Sequence, residues 1–244
     1  IFEVWMMLKN LPILFAVSLV FVGYMACSVT ADEKVEDGFV SLFDGKSIEN
    51  WNGNKKIFRV ENGTIIGGSL EERIPNNEFL STSKKYGDFE LRLQAKLIGE
   101  GKNAGVQFRT KRIPNHHEVI GYQCDMGLMG TKNIWGSLYD ESRRGKFLAE
   151  AKQVPLLKKF KTNDWNDLRI VCKGAQVQIW VNGVQTVNYR EKDDQIERDG
   201  IIALQIHGGA PAEASYRHIR IKELKWKLSG SKRVFRIFGI DYCF

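Results

Sequence analysis

The sequence predicts an all-β protein built as an antiparallel β-sandwich or jelly roll. Short segments in which apolar and polar residues alternate recur along the chain, and glycine-rich turns separate them. No long segment has the apolar period of an amphipathic helix, although residues 147–153 could form a short helical stretch. Neither a repeat nor a linker divides residues 36–228, so we expect one domain there. Residues 229–244 do not continue the pattern and are expected to form a disordered tail.

The strand pattern begins at residues 39–43 and is clearest at 89–97, where apolar and polar side chains alternate without interruption. Asn182-Gly183 joins two later candidate strands and is a strong signal for a two-residue hairpin turn. The remaining candidate strands are 104–109, 119–126, 134–139, 166–172, 176–181, 184–189, 201–206 and 215–226. Many short strands of this kind are typical of two sheets packed face to face.

The N-terminal residues are typical of a secretory signal peptide, which we assign to residues 1–31. Residues 11–26 are uncharged and mostly apolar and follow Lys9, and cleavage is expected after Ala31. The residues before Met6 are a doubtful part of this segment. We therefore expect export to the periplasm or the extracellular space, with no stable membrane span once the signal is removed.

The cysteines leave two alternatives open. Cys27 offers a second interpretation of the N-terminal segment, as a lipid attachment site, but Tyr24-Met25-Ala26 is a poor lead-in and we favour cleavage. Cys124 and Cys172 lie on apolar strand faces of the core, which predicts buried thiols. A disulfide between them is the alternative, because the sequence does not show whether the two residues are close.

The charge pattern argues against a nucleic-acid partner. The chain has a formal net charge of +7 at pH 7, but its basic residues are interleaved with acidic ones along the strands. Such interleaving is typical of a solvated surface and not of the continuous basic stripe that binds nucleic acid. The sequence gives no indication of the oligomeric state.

Several strands place two polar side chains on one face near a strand end. The pairs are Gln123 with Asp125, Gln107 with Arg109, and Gln205 with His207. His207 is the best single candidate, because an imidazole can act as a base near neutral pH and the glycines after it let a ligand approach the backbone. The alternative is that each pair lies on an ordinary outward strand face. For His207 the alternative is a histidine that caps a strand end.

A second group of candidates lies in residues 135–144, where aromatic, acidic and basic side chains are crowded together. Guanidinium groups and carboxylates bind sugar hydroxyls, and aromatic rings stack on sugar faces. Another aromatic ring lies on the polar side of strand 176–181. The candidate sugar-binding residues of this group are Trp135, Tyr139, Asp140, Glu141, Arg143 and Trp180. A solvated turn with a local ion pair is the alternative for the cluster.

The order of several longer segments resembles a known family. The segments are LFDGKSIENW (42–51), FRVENGTIIGG (58–68), FLSTSKKYGDFELRLQAKL (79–97), NAGVQFR (103–109), GYQCDMG (121–127), WGSLYDESRR (135–144), WNDLRIVCKGAQVQIWVNG (165–183), IIALQIHGG (201–209) and YRHIRIKELKW (216–226). Together they resemble the 3-keto-disaccharide hydrolase domain family of exported bacterial proteins, over residues 39–227.

The resemblance implies a concanavalin A-like jelly roll that cleaves glycosides oxidised at C3 of the sugar, by hydrolysis or by elimination and hydration. The C3 ketone acidifies the C2 proton, a base removes it, and the enolate expels the C1 substituent. On this sequence His207 or Asp125 would be the base, and Arg109 and Gln123 would bind the substrate or the developing oxyanion. A divalent metal ion is an option in such a mechanism, with Asp125, Glu141 and His207 as its ligands.

The sequence departs from the family pattern at two positions. Many relatives have Glu where this chain has Gln123, and Ser where it has Ala104. An amide cannot act as a base, so a mechanism that depends on Glu at position 123 is in doubt. A retaining glucanase needs paired carboxylates on this strand, and only Asp125 remains. The alternative function is a non-catalytic carbohydrate-binding module, and a saccharide is the expected partner in either case.

Overall fold

The computed structural model describes residue 36 and residues 38–224, 235–237 and 240–242. The predicted signal peptide lies outside these residues. The elements are β1 (Val40–Ser41), β2 (Phe58–Glu61), β3 (Thr64–Ser69), β4 (Glu78–Ser81), β5 (Phe89–Gly99), β6 (Asn103–Arg112), β7 (Val119–Met129), β8 (Lys132–Asn133), β9 (Leu138–Glu141), β10 (Lys146–Ala149), α1 (Gln153–Leu157), β11 (Asn166–Lys173), β12 (Gln176–Val181), β13 (Val184–Arg190), β14 (Ile201–Ile206), β15 (Ala212–Glu223), β16 (Phe235–Ile237) and β17 (Ile240–Tyr242). Within the described ranges, no helix is long and apolar enough to cross a membrane.

Two antiparallel sheets pack face to face. The eight-stranded sheet has the order β13-β12-β11-β5-β15-β3-β2, with β1 paired to β15. The seven-stranded sheet has the order β10-β9-β7-β6-β14-β4, with β8 paired to β7. The apolar side chains of both sheets form one core cluster, and this arrangement confirms the predicted all-β sandwich. In the tail that was expected to be disordered, β16 and β17 form a short hairpin.

The eight-stranded sheet follows the alternation seen in the sequence. In β5 the odd-numbered residues from 89 to 95 are buried, whereas the even-numbered ones are partly exposed. The predicted hairpin is also confirmed, since Val181 pairs with Val184 across Asn182-Gly183. Asn182 has a φ of 48° and Gly183 a φ of 77°, the positive values that a tight hairpin turn of this kind requires. The sequence pattern therefore determines which side chains of this sheet face outward.

The seven-stranded sheet interrupts its alternation at Arg109. The pairing of β6 with β7 shifts register between Phe108 and Lys111, and the pairing of β6 with β14 shifts between Ile201 and Ala203. Arg109 itself has a φ of 47°, in the left-handed region. A bulge of this kind re-aims the side chain of the extra residue. The bulge at Arg109 therefore determines which side chains of β6 reach the outward face.

Two further regions test details of the sequence interpretation. Residues 147–153 divide between a strand and a helix, because β10 pairs with β9 through Phe147 and Tyr139 and α1 begins only at Gln153. Cys124 and Cys172 are buried free thiols that belong to β7 and β11, in different sheets. Buried thiols were the first interpretation of these cysteines, and the two do not form a disulfide.

Candidate active site

The candidate site is the outward face of the seven-stranded sheet, which we call the polar face. Leu138, Phe108, Tyr122 and Cys124 point into the core, so their strand neighbours point outward. The polar face consists of Asn103, Gln107, Gln123, Asp125, Tyr139, Glu141 and Gln205. Most of these side chains are buried although they lie outside the sandwich core. Buried amides and carboxyls on an outward face indicate a built site and not an ordinary solvated surface.

Strand register places these side chains in rows. Gln107 lies opposite Gln123, and Gln123 lies opposite Tyr139. In the next row Gly105 separates Asp125 from Gln205, with one on each neighbouring strand. Strands are about 4.8 Å apart, so the backbones of Asp125 and Gln205 are about 10 Å apart across Gly105. The side chain of Gln123 lies over Gly105 between them, since a Cβ added at Gly105 would be 2.4 Å from Gln123 Cδ.

A chain of hydrogen bonds orients the amides of the polar face. The Thr110 hydroxyl donates to Gln107 Oε1 at 2.9 Å, and Gln107 Nε2 donates to Gln123 Oε1 at 2.7 Å. Gln123 Nε2 then donates to Asp125 Oδ1. Each amide uses its oxygen as acceptor and its nitrogen as donor, so the chain has one direction. Gln123 consequently presents a donor to Asp125 and holds that carboxyl in place.

Two carboxyl groups of the polar face titrate near neutral pH. Burial raises the pKa of Asp125 to about 7, although the hydrogen bond from Gln123 opposes this shift, and the charge of Glu141 adds to it. Burial also raises the pKa of Glu141 to about 7, with a contribution from the charge of Glu118. A group with a pKa near the working pH can both take up and release a proton. Asp125 therefore has the protonation behaviour of a general base.

Gln205 is the polar-face residue whose hydrogen-bonding groups are left unused within the described structure. Its side chain is fully buried, and neither Oε1 nor Nε2 has a hydrogen-bond partner among the described residues. Asn103 Oδ1, on the neighbouring strand, is in the same state. Leaving a buried polar group without a partner costs about 1–3 kcal/mol. The free Nε2 of Gln205 can donate a hydrogen bond to a hydroxyl or carbonyl oxygen, and the free Oε1 can accept one from a hydroxyl group.

His207 follows β14 and is half-buried. Its Nδ1 lies 2.6 Å from the carbonyl oxygen of Gly208. A carbonyl only accepts hydrogen bonds, so this contact places the proton on Nδ1 and leaves Nε2 as the basic nitrogen. His207 lies two residues after Gln205, at the end of the polar face, and remains a second candidate base.

Arg109, in contrast, does not join the polar face as the sequence had suggested. The bulge turns its side chain away, and the side chain is only 2% exposed. Nη2 donates to Asp88 Oδ1 at 3.0 Å, while Nε and Nη1 donate to the carbonyl oxygens of Gly87 and Gly174 at 3.0 and 2.7 Å. These partners belong to the opposite sheet and its turns. Arg109 therefore links the two sheets and is not placed to bind a substrate.

The crowded segment 135–144 divides between two sides of the sheet. Tyr139 and Glu141 point to the polar face, but Asp140 alternates with them and is fully buried. Asp140 accepts hydrogen bonds from Arg143 Nε at 2.9 and 3.1 Å, so these two expected sugar-binding residues form an internal ion pair. The inward position of Asp140 follows from the alternation of side chains along a strand, because Asp140 comes two residues after the buried Leu138 and therefore points to the same side.

The ion pair of Asp140 belongs to a larger structural network. Glu191 Oε2 accepts from the Tyr122 hydroxyl at 2.6 Å and from Arg144 Nη1 at 3.0 Å. Burial alone would raise the pKa of Glu191, but hydrogen bonds from Tyr122, the Asp193 backbone and Arg144 outweigh it and lower the pKa to about 2. A carboxylate held this firmly in its charged form stabilises the fold and does not exchange protons near neutral pH.

The two tryptophans are also placed away from the polar face. Trp135 is buried in the core cluster, and its ring centroid lies 5.2 Å from that of Phe160. Trp180 points outward from the eight-stranded sheet, on the other side of the molecule. The aromatic pair at the polar face is instead Tyr139 and Phe147, at 5.2 Å in an edge-to-face arrangement. Tyr139 is thus the predicted stacking residue that the fold brings to the site.

Several residues of the site were not predicted from the sequence. Gln107 was recognised only as a neighbour of Arg109, and Thr110, which begins the hydrogen-bond chain, sits in the bulge. Phe147 was assigned to a helical stretch. Glu118 accepts from Asn77 Nδ2 at 2.8 Å and keeps a buried Oε2 without a described partner. Only Gln107 had a usable signal, namely its alternation with the apolar residues Val106 and Phe108.

The described residues do not form an evident metal centre. Among them, no three His, Cys, Asp or Glu side chains come together in a group that could hold a metal ion. Asp125, Glu141 and His207, the ligands considered from the sequence, lie at different rows of the sheet.

Taken with the fold, this geometry defines a jelly-roll domain with a cluster of buried polar side chains on the outward face of one sheet. The chain belongs to the 3-keto-alpha-glucoside-1,2-lyase-like domain family, whose family model matches residues 38–222. That region contains every residue of the polar face. No curated protein matches the chain.

Solved structures with a similar fold include proteins of two bacteria. Two proteins of Parabacteroides distasonis ATCC 8503, both provisionally named glycosyl hydrolases, are 21% and 20% identical with TM-scores of 0.56 and 0.57. The alignments cover 77% and 76% of this chain and 94% and 99% of those chains. A carbohydrate-binding module of Bacillus subtilis, CBM66, is 13% identical with a TM-score of 0.50, covering 76% of this chain and 96% of that one. These likenesses establish the fold.

Proposed function

We propose that the protein cleaves glycosides whose sugar carries a ketone at C3, and that it does so on the polar face. Family membership supports a carbohydrate-related function. The observation that carries the finer proposal is Asp125, a buried carboxyl with a pKa of about 7 that is held by Gln123 and lies in the same row of the sheet as the unpartnered amide of Gln205. Proton abstraction next to a ketone requires a base and an oxyanion donor, and Asp125 and Gln205 lie on the two strands that flank β6.

Asp125 is the proposed base. It removes the proton from C2, and the C2–H electron pair forms a double bond to C3 as the ketone oxygen becomes an enolate. Gln205 Nε2 donates a hydrogen bond to that oxygen, which satisfies an amide otherwise left buried without a partner. Gln123 keeps Asp125 oriented but does not itself transfer a proton, because an amide is not basic.

The enolate then expels the substituent on C1. The ketone at C3 re-forms, the double bond moves to C1–C2, and the C1–O electron pair leaves with the departing sugar. Tyr139 is the proposed proton donor to that oxygen, because it lies diagonally across from Asp125 at about 7–8 Å between α-carbons. Burial and the charges of Glu141 and Asp125 raise the pKa of Tyr139, so its hydroxyl is protonated at neutral pH. Water then adds to C1 and gives up its proton to the Tyr139 phenolate, while Asp125 returns its proton to C2, so that hydrolysis is complete and both residues regain their starting protonation states.

The test compares a 3-keto disaccharide with its unoxidised parent. We expect the purified chain to release the monosaccharide from the keto form only. Asp125→Asn should lower kcat/KM by about 10²–10⁴-fold, the range typical of a lost general base. Asp167→Asn, an exposed aspartate on the other sheet, is the matched control and should retain activity. Full activity of Asp125→Asn would rule out Asp125 as the base.

A non-catalytic carbohydrate-binding module remains the second candidate. The amide-rich composition of the polar face favours it, because Gln107, Gln123 and Gln205 can bind sugar hydroxyls without doing chemistry. Binding of both sugars with turnover of neither would establish the module and reject the enzyme.

A further inference from the structure

Trp180 belongs to a second groove, on the sheet opposite the polar face. It ends a row of side chains that crosses four neighbouring strands. Trp180 lies opposite Arg169, Arg169 opposite Arg92, and Arg92 opposite Arg220. All four side chains point outward, because the residues that flank each of them are buried in the core. A groove of about 470 Å³ runs along this row, and Asp167 also lines it.

The arginine row concentrates positive charge. Like charges directly opposite each other destabilise a sheet, and these three arginines occupy about 10 Å across adjacent strands. Glu90 partly compensates, since it accepts from Arg92 at 2.7 Å and from Arg169 at 2.6 Å. Glu36 accepts from Arg92 at 2.5 Å. The three guanidinium groups therefore share two carboxylates. Asp167, the other carboxylate that lines the groove, accepts a hydrogen bond from Gln94 instead.

Arg169 is the member of the row best placed to bind a ligand. Its described hydrogen bond uses Nε, and its terminal nitrogens have no acceptor among the described residues. The guanidinium carbon lies 4.2 Å from the centroid of the Trp180 ring, which holds the group in position. Its side chain is 39% exposed. A planar guanidinium fork binds carboxylate or sulfate oxygens in pairs, and the half-buried indole offers apolar surface to a sugar ring.

We propose that this row binds an anionic polysaccharide whose sugars carry carboxylate or sulfate groups. The guanidinium groups of Arg169 and Arg220 bind anionic groups, Arg92 between them stays paired with Glu90 and Glu36, and Trp180 contacts the sugar ring at one end. The groove and the polar face lie on opposite sheets, so a polymer bound here leaves the polar face accessible. The proposal does not depend on the reaction proposed for the polar face.

Calorimetric titration with three probes tests the proposal. The probes are polygalacturonate oligosaccharides, which carry carboxylates, dextran sulfate oligosaccharides, and neutral dextran of similar length. We expect binding of at least one anionic probe at physiological salt and none of neutral dextran. Trp180→Ala and Arg169→Gln should each weaken that binding about tenfold or more, as expected for the loss of a charge-assisted or stacking contact. Lys111→Gln removes the same charge from the exposed surface of β6 and should leave the affinity unchanged.

Two results would overturn the proposal. One is the absence of binding to both anionic probes. The other is equal binding of a duplex oligonucleotide with no effect of Trp180→Ala, which would indicate unspecific charge attraction. Arg169→Lys keeps the charge but cannot bind an anion in a planar pair, so it should also lose affinity. If Trp180→Ala fails to fold, the affinity of Arg169→Lys for the anionic probes still tests the proposal.

Discussion

Replacing Arg109 distinguishes a structural role from a role in substrate binding. Arg109→Ala removes the ion pair of Arg109 with Asp88, whose side chain is 14% exposed, and removes the hydrogen bonds that Arg109 donates to the carbonyl groups of Gly87 and Gly174. Breaking a buried pair costs about 3–5 kcal/mol. Asp88 keeps a hydrogen bond from the Gly174 N–H at 2.8 Å, so the low end, about 3 kcal/mol, is expected.

Thermal unfolding measures this loss directly. For a domain of this size, 3 kcal/mol corresponds to a fall in Tm of about 6–12 °C. Arg109→Lys should lie between the wild type and Arg109→Ala, because an ammonium group cannot reach all three acceptors. Arg198→Ala, which removes an exposed ion pair with Asp194, is the control and should change stability by about 0.5 kcal/mol or less. An unchanged Tm together with lost sugar turnover would refute the structural role and restore Arg109 to the substrate site.

Two further predictions concern the polar face. Because Asp125 has a folded pKa of about 7 against 3.8 for the free group, the folded state retains its proton while the unfolded state loses it. Stability should therefore fall as pH rises from about 4 to 7, by up to about 4 kcal/mol from this group, and Asp125→Asn should flatten that part of a denaturation series. Gly105→Ala should lower stability by about 1–3 kcal/mol, since the new Cβ would lie 2.4 Å from Gln123 Cδ and displace that side chain. It should also reduce turnover, and an unaffected enzyme would show that the Gln123 contact to Asp125 is dispensable.

The fold could be predicted because alternation is a local property of each strand. In β5 and in the Asn182-Gly183 hairpin, the residues alone determine which side faces the core and where the chain turns. The same rule correctly placed Trp180 on the polar side of β12. It could not show that β12 belongs to the other sheet, because the pairing of strands distant in sequence depends on the whole chain.

The candidate site was predictable only where alternation continued unbroken. Gln123, Asp125 and Gln205 reached the polar face as expected. Arg109 did not, because a left-handed residue in a bulge reverses the direction of one side chain, and an arginine carries no sequence signal for that conformation. The burial of the site residues also could not be predicted from the sequence. The pKa of Asp125 depends on desolvation, which appears only when the strands are assembled.

The central claim is that Asp125 removes the C2 proton of a 3-keto glycoside. The most direct measurement compares kcat/KM for a 3-keto disaccharide carrying hydrogen or deuterium at C2. A primary isotope effect in the wild-type protein, with activity lost in Asp125→Asn and retained in His207→Gln, is the predicted result. Equal rates for the two substrates would show that C2–H cleavage does not limit turnover, and undiminished cleavage of an analogue with no hydrogen on C2 would contradict the mechanism. Loss of activity in His207→Gln with activity retained in Asp125→Asn would move the base to His207.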